Sequence, residues 1–427
     1  MSNFRFIRFQ TSDSNRARSR NRLLLLLLFV TSCVSLKAYP VTTAFDTDGA
    51  ITVDGKRTFI VGTYMVGNKY TAPTPTPQLY KELADAGFNL VQASGENMDH
   101  AEAAGLMTWT GAGVIDLKDP EASGKQLADR VNAVKGHPSL AFLETSDEPA
   151  WTWMKAEPRI TAEAFAKSYP IVKATDPNHL LYTNHAPTNL ISTLVQYNAG
   201  TDIVAVDIYP VNPGNLKPQY ALFEDGLQGD LNNTHISQVG DYCDKMRKVA
   251  GPNRPVFMVL QGFAWEMLTD EKDRDPAKVL YPTFEQSRYM AWQSIVHGAN
   301  GIVYWGSFYT PQPSDCWTGV TRTTREIADL GEVLAQRNST PKIEFVYHEL
   351  GRSVDKGVEW IAKEHEGKLY LFTCNSDKSP CRATAKGLNG WKAAKVINEN
   401  RTITLTESSM TEDWTPFGVH LYELTRD

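Results

Sequence analysis

The chain has 427 residues, of which 42% are hydrophobic and 22% charged, with a formal net charge of −6. That length and apolar content suffice for one large domain and a smaller one. The mild acidity comes without a basic patch of the kind that neutralises phosphates, so no nucleic-acid partner is expected. The 10 Trp and 17 Tyr offer rings that stack on sugar faces as readily as they fill a core.

Residues 1–38 read as an address rather than as part of the fold. Arg5, Arg8, Arg16, Arg18, Arg20 and Arg22 form a positive segment opposed only by Asp13, and an apolar run from Leu23 to Leu36 follows. The run is shorter than the about 20 residues a membrane span needs, which fits an export signal. Val30-Thr31-Ser32-Cys33 resembles a lipobox, in which Cys33 would carry lipid after cleavage. Simple cleavage near Ala38 and an uncleaved anchor are the other readings. Either cleavage implies an exported protein, periplasmic or extracellular, or lipid-anchored at the cell surface through Cys33 where the lipobox is used. Of the remaining cysteines, Cys374 and Cys381 flank a turn-rich stretch whose spacing permits a local disulfide in an oxidising compartment. No Cys/His spacing resembles a zinc site, and no metal or cofactor is expected.

From Thr58 to Gln336 short apolar runs alternate with helical patterns, the signature of βαβ units around a parallel sheet. The runs are Phe59–Tyr64, Phe88–Ala93, Leu106–Thr110, Leu140–Thr145, Leu180–Asn184, Ile203–Ile208, Val256–Gln261 and Gly301–Trp305. Between them helices are predicted over Gln78–Ala86, Ala122–Lys135, Ile160–Ala174 and Phe284–His297; Gly87, Gly136 and Gly298 serve as stop signals, and Asp176-Pro177 closes the third. Eight such repeats over roughly 280 residues match a (β/α)8 TIM barrel. A doubly wound open sheet is the runner-up, but no Gly-rich phosphate turn follows the first run. After Gln336 the runs Phe345–Tyr347, Val358–Lys363, Lys368–Cys374, Ala383–Ala385, Lys395–Ile397, Thr402–Thr406 and Gly418–Leu424 are rich in β-branched and aromatic residues and predict a small antiparallel β-domain. The expected division is a leader over 1–38, the barrel over 39–340 and a β-sandwich-like domain over 341–427. Asn212–Asn215 and Tyr309–Pro313 read as loops.

Barrels of this kind place their chemistry at the C-terminal ends of the strands, and polar and aromatic residues collect there. The first run ends in Tyr64 and the second brings Gln92. The fourth ends in Asp147-Glu148-Pro149, the fifth in Asn184-His185 and the sixth in Asp207-Ile208-Tyr209. The seventh ends in Gln261 with Trp265 beyond it, and the eighth in Trp305. A carboxyl beside a second negative charge can have its pKa raised enough to protonate a leaving oxygen. Asp147-Glu148 would otherwise cap the helix that follows. Trp305 offers a platform for a sugar ring or barrel-top packing, and Trp151 and Trp153 a subsite wall. Asn184 offers a hydroxyl contact or a cap. His185 reads as a proton shuttle or a histidine satisfied by nearby backbone. Glu144 shares a strand face with Glu148 and would tune it, whereas Trp109 and Trp292 read as core.

His137-Pro138-Ser139-Leu140, leading into Phe142-Leu143-Glu144-Thr145-Ser146-Asp147-Glu148-Pro149, resembles the strand-four segment of clan A-type retaining glycoside hydrolases, where an Asn-Glu-Pro or Asp-Glu-Pro carries the acid/base. Val206-Asp207-Ile208-Tyr209-Pro210, Arg254-Pro255-Val256-Phe257-Met258 and Gly298-Ala299-Asn300-Gly301-Ile302-Val303-Tyr304-Trp305 extend the resemblance over about residues 50–340, and the C-terminal segment is similar to the accessory β-domains of such enzymes. The resemblance implies a secreted glycosidase acting on a poly- or oligosaccharide, with Glu148 as general acid.

One departure affects the mechanism. Where those enzymes carry a nucleophilic Glu on strand seven, this chain has Gln261, and a neutral amide cannot be the nucleophile. Three readings follow. Asp207 or Glu266 supplies the second carboxylate. Alternatively the substrate assists as in hexosaminidase- and chitinase-like barrels, with Asp147 orienting an acetamido group beside Glu148, or the barrel binds carbohydrate without cleaving it. In the first two, Gln261 is expected in the cleft as a partner to the sugar.

Overall fold

The computed structural model describes residues 40–152, 157–213, 233, 235–348 and 354–426. The leader with Cys33, Trp153, and the second half of Asn212–Asn215 lie outside them. Eight strands form the barrel: β1 (Ile60–Thr63), β2 (Leu90–Gln92), β3 (Met107–Gly111), β4 (Leu140–Glu144), β5 (Leu180–His185), β6 (Ile203–Ile208), β7 (Val256–Gln261) and β8 (Gly301–Trp305). Each pairs in parallel with the next, and β8 returns to β1, so the sheet is a closed (β/α)8 TIM barrel rather than an open one.

Alternation along the strands explains the two cores. Leu90, Phe142, Tyr182, Ala205, Phe257, Val259 and Val303 fill the barrel interior. Val91, Leu143, Leu181, Val204, Val206 and Ile302 face the helix layer. The bottom of the barrel is plugged by an antiparallel hairpin system, Thr43–Phe45, Ile51–Val53 and Lys56–Arg57, which sequence periodicity does not announce because its strands are so short. Thr43 fastens it there: its hydroxyl donates to the Ala141 carbonyl and accepts from Leu180 N–H, both at 2.9 Å.

Two helices begin slightly earlier than hydrophobic periodicity predicts because their caps set the start, while the third begins two residues later, at Ala162 behind Thr161. Thr76 accepts from Leu79 N–H ahead of Pro77–Asp85, and Asp119 accepts from Ala122 N–H ahead of Pro120–Val134. In both, Pro at the first helical position supplies a fixed φ and needs no donor. Thr283 and Gln286 form a reciprocal capping box at Phe284–Val296. Three further helices of the outer layer, Glu96–Ala103, Gln238–Ala250 and Asp315–Asp329, are not among those the sequence predicts, although Gly105 and Gly251, both at positive φ, close the first two.

Beyond the barrel a six-stranded and a three-stranded antiparallel sheet enclose Leu371, Ala383, Met410, Trp414 and Tyr422. Cys374 and Cys381 are buried in strands of different sheets and are not bonded to each other, so the local disulfide that their spacing permits does not form. The β-domain docks on helix Phe284–Val296. Trp292 packs on Phe372 with ring centroids 5.0 Å apart, the Tyr289 hydroxyl meets Ser376 at 2.9 Å, and His297 Nε2 lies 3.0 Å from Glu359.

Candidate active site

The inward-facing register that fills the barrel continues, two residues further along each strand, into the floor of a cleft at the C-terminal ends of the strands. Leu90 is followed by Gln92, Phe142 by Glu144, Tyr182 by Asn184, Ala205 by Asp207 and Val303 by Trp305. The cleft is about 920 Å³ and is lined by these five residues together with Tyr64, Asp147, Glu148, Trp151, Tyr209 and Trp265. His185, one residue out of register, turns to the helix layer and meets the Tyr197 ring edge-on. It is fully buried, neither ring nitrogen has a partner, and burial pushes its pKa down to about 3. A neutral histidine outside the cleft serves neither as a proton shuttle nor as a histidine satisfied by backbone.

The carboxyl groups are the dominant feature. Glu148 leaves the strand on a left-handed backbone, φ 45°, a conformation that costs a non-glycine residue about 1–3 kcal/mol and is concentrated at functional sites. Its N–H donates to the Asn184 carbonyl at 2.8 Å, which fixes the turn. Its carboxyl lies against that of Asp207, close enough for each to shift the other's titration, and Arg159 Nη1 lies 3.0 Å from Glu148 Oε2. Burial and the neighbouring Asp147 charge raise the Glu148 pKa to about 7, against the lowering influence of Arg159. Asp207 is likewise raised well above the usual carboxylate range, first by burial and then by Glu148 and Asp147. Two carboxyls so placed cannot both ionise cheaply, so the pair holds one proton between them.

Asp147 turns toward the opening. Asn184 Nδ2 donates to it at 3.0 Å and Arg159 lies 3.8 Å away; burial nevertheless raises its pKa. Neither Asp147 nor Glu148 caps the next helix, which starts at Ala162 behind Thr161. Glu144 sits on the floor. One of its oxygens accepts from Trp109 Nε1 at 3.2 Å and Gln92 Nε2 at 3.3 Å, and burial followed by the Asp147 charge raises its pKa to about 7. Trp109 is therefore core with a polar duty. Trp292 is wholly buried away from the cleft, with its indole N–H on Glu326.

Aromatic rings wall the other side. Tyr209 stacks on Trp305 at 5.7 Å, and Trp265 donates its indole N–H to the Tyr209 carbonyl. Gly306, φ 88°, follows Trp305 because a Cβ there would lie 2.4 Å from the Phe263 ring. On the rim, the Arg159 guanidinium covers Trp151 at 4.7 Å. Sequence patterns gave no reason to single out Arg159, since it lies in an irregular segment and reaches the site only through the fold.

Two expectations are corrected. Gln261 is not in the cleft. It is fully buried, its Oε1 accepts from Val211 N–H at 2.9 Å, and its Nε2 donates to the carbonyls of Val211 and Phe263 at 2.7 and 3.0 Å. Its hydrogen-bonding capacity goes to clamping the segments after β6 and β7, leaving none for a sugar. Glu266 accepts from Asp275 N–H at 2.6 Å and holds its own loop, outside the cleft lining. Among the described residues, metal-type donors converge at Asp99, Glu102 and His137; these do not line the cleft, and His137 Nε2 is hydrogen-bonded to Asp99 at 3.1 Å.

No family profile matches the chain, and no curated protein sequence is similar to it. Solved structures are similar in fold. A β-L-arabinopyranosidase of glycoside hydrolase family 27 from Geobacillus stearothermophilus aligns with a TM-score of 0.55 at 11% identity, covering 86% of this chain and 97% of its own. An α-amylase from Geobacillus thermoleovorans aligns at 0.54 and 7% identity, covering 86% and 98%. A β-galactosidase from Bacillus circulans sp. alkalophilus aligns at 0.54 and 9% identity, covering 86% and 99%. What this chain shares with them, at such low identity, is the fold of glycoside hydrolases: a closed eight-stranded parallel barrel followed by antiparallel sheets.

Proposed function

We propose that the chain is a glycoside hydrolase whose catalytic pair is Glu148 and Asp207. The observation that carries this reading is the juxtaposition of the two buried carboxyl groups on an aromatic-walled cleft floor. Glycoside hydrolysis needs one carboxyl that arrives protonated and one that arrives ionised, and a pair sharing a single proton meets both needs. Such contact is nearer to the about 5–5.5 Å separation of retaining pairs than to the about 6.5–9.5 Å of inverting pairs, which must admit a water. Retention is therefore the expected outcome. Glu148, at the end of strand four, donates its proton to the leaving oxygen. Asp207 attacks the anomeric carbon. Glu148 then takes a proton from the water that releases the sugar.

The charge distribution also favours a second assignment. Arg159 at 3.0 Å favours an ionised Glu148, and complete burial favours the protonated form of Asp207. In that reading Asp207 is the acid and Glu148 the nucleophile. Azide rescue separates the two. Glu148→Ala with azide yields a glycosyl azide of retained configuration if Glu148 is the acid/base, and of inverted configuration if it is the nucleophile. Full hydrolysis by both Glu148→Gln and Asp207→Asn would remove the pair from the chemistry and leave a carbohydrate-binding barrel. The arginine-rich leader supports export, and N-terminal sequencing of the native protein tests it: a mature chain retaining Arg16–Arg22 would count against it.

A further inference from the structure

Strand parity brings a side chain to the cleft floor from β2, β4, β5, β6 and β8, but on β3 the residue so placed is a glycine. Trp109 faces the barrel interior, so Gly111 takes the register that gives Gln92 on β2 and Glu144 on β4. Its backbone does not require glycine, because Gly111 has no positive φ. Packing does not require it either, because a Cβ there would meet nothing within 4 Å. Glycine weakens a strand, and where neither a turn nor a neighbour demands it, it marks a place that a ligand approaches closely. Ala112 and Gly113 follow, so little side chain fills the corner of the cleft beyond β3.

Arg130 brings a charge to this corner. It is an exposed residue of helix Pro120–Val134, and its Nε donates to the Ala112 carbonyl at 2.8 Å. Gly113, at φ 83°, makes room for the guanidinium, since a Cβ on it would lie 3.2 Å from Arg130 Nη2. Nε is thereby fixed, while Nη1 and Nη2 have no partner among the described residues. Arg130 is also the one cationic side chain among the described residues that line the cleft. The carboxyls of the cleft do not use it. Arg159, not Arg130, is the cation that holds down Asp147 and Glu148, and Glu144 is buried against Trp109 and Gln92.

In the closed barrel β3 lies opposite β7, so this corner faces Tyr209, Trp265 and Trp305 across the mouth, with Glu148 and Asp207 to one side between them. We propose that the substrate carries an oxyanion substituent, a carboxylate or a sulfate ester, which seats over Gly111 on the free edge of Arg130. That edge offers two parallel N–H groups, which match two oxygens of one anion and leave a donor unused on a single hydroxyl. An acetamido group brings no charge to meet the cation, and an ammonium would be repelled by it. The proposal rests on the glycosidase reading for turnover but not for binding, and the experiment separates the two.

Methyl glycosides of glucuronate, galacturonate and mannuronate, and primary sulfate esters of methyl glucoside, galactoside and mannoside, are titrated calorimetrically against the neutral methyl glycosides. Hydrolysis of polygalacturonate, glucuronoxylan and carrageenan is followed beside that of cellulose and mannan. In at least one series the anion is expected to bind about 10-fold or more tightly than its neutral parent, and the arm that responds tells carboxylate from sulfate. Arg130→Gln should collapse that ratio toward one. Arg130→Lys, which keeps the charge and loses the fork, should retain only part of it. Gly111→Val fills the corner and should weaken binding of the anion with Arg130 still in place; where that variant folds poorly, the exposed Arg130 still carries the test. Equal binding of anion and neutral parent in every series, or a preference that survives Arg130→Gln, overturns the proposal. An anion preference without hydrolysis of any polymer would instead sink the glycosidase reading and leave the binding site standing.

Discussion

Exchanging Gln261 for Glu would give strand seven the residue that retaining barrels of this type place there, and the structure predicts that the exchange damages the protein. The side chains are isosteric, so the effect is one of hydrogen bonding and charge. Nε2 now donates to the Val211 and Phe263 carbonyls at 2.7 and 3.0 Å in a fully buried site. A carboxylate cannot donate, so both carbonyls lose their partner and face a negative charge. Leaving a buried group unsatisfied costs about 1–3 kcal/mol, so the two together cost about 2–6 kcal/mol, a large fraction of a typical margin of about 5–15 kcal/mol. Burial and the facing carbonyls would raise the pKa of the introduced carboxyl in the folded state above its unfolded value of about 4.3. The native state then binds more protons than the unfolded state, and the stability of Gln261→Glu falls as pH rises above about 4.3. Urea denaturation at pH 5 and pH 8 reads both effects, as a lower midpoint with unchanged slope that worsens at the higher pH. Stability within about 0.5 kcal/mol of wild type, the scatter of a harmless surface change, would refute the clamp. So would a 10-fold gain in hydrolysis, which would mean that the introduced carboxyl had reached the substrate.

Glu148→Gln should lower turnover by about 10²–10⁴-fold while the thermal melt and sugar binding persist; wild-type hydrolysis would displace Glu148 from the chemistry. With Glu148 raised to about 7 by burial and by Asp147, activity should decline as pH rises above about 7 and the pair loses its proton. Asp147→Asn removes one raising charge, so this alkaline limb should move to lower pH in a kcat/KM profile; an unmoved limb would contradict the assignment. At the docking of the β-domain, Asp244 and Glu359 outweigh burial and raise His297 to about 9, and His297 outweighs burial to lower Glu359 to about 2. The histidine's share of stability is full below about 6.5 and is lost as pH rises through about 9. The glutamate's share is present above about 4.5 and is lost as pH falls toward 2. Melting temperature should therefore be greatest between about pH 4.5 and 6.5 in wild type, and His297→Gln should flatten that profile.

The barrel was legible because each strand carries a local signal: a short apolar run, a Gly or Pro stop, and a helix in between. Val256–Gln261, Ile203–Ile208 and Gly301–Trp305 end where hydrophobicity ends, since a strand covered on both faces must be apolar throughout. The hairpin plug at Thr43–Arg57 and strand Ser409–Trp414 were not legible. The hairpin's strands are two or three residues long, too short to show a period, and strand Ser409–Trp414 pairs with Cys381–Lys386, a segment distant in the chain. The Cys374–Cys381 pairing fails for a related reason: closeness along the chain says nothing about which sheet each strand joins.

For the site, strand parity carries further than motif. Glu144, Asn184, Asp207 and Trp305 reach the cleft because Phe142, Tyr182, Ala205 and Val303 face the barrel interior, and a period of two extends that face past the strand end. By the same parity Gln261 should follow Val259 into the cleft, and the rule fails there because the chain after β6 covers it. Val211 lies against the Gln261 amide and takes two of its hydrogen bonds. A loop from a neighbouring strand is invisible to any reading of strand seven alone. That same loop follows the strand that carries Asp207, so a single segment continues from that carboxyl and closes off the position on β7.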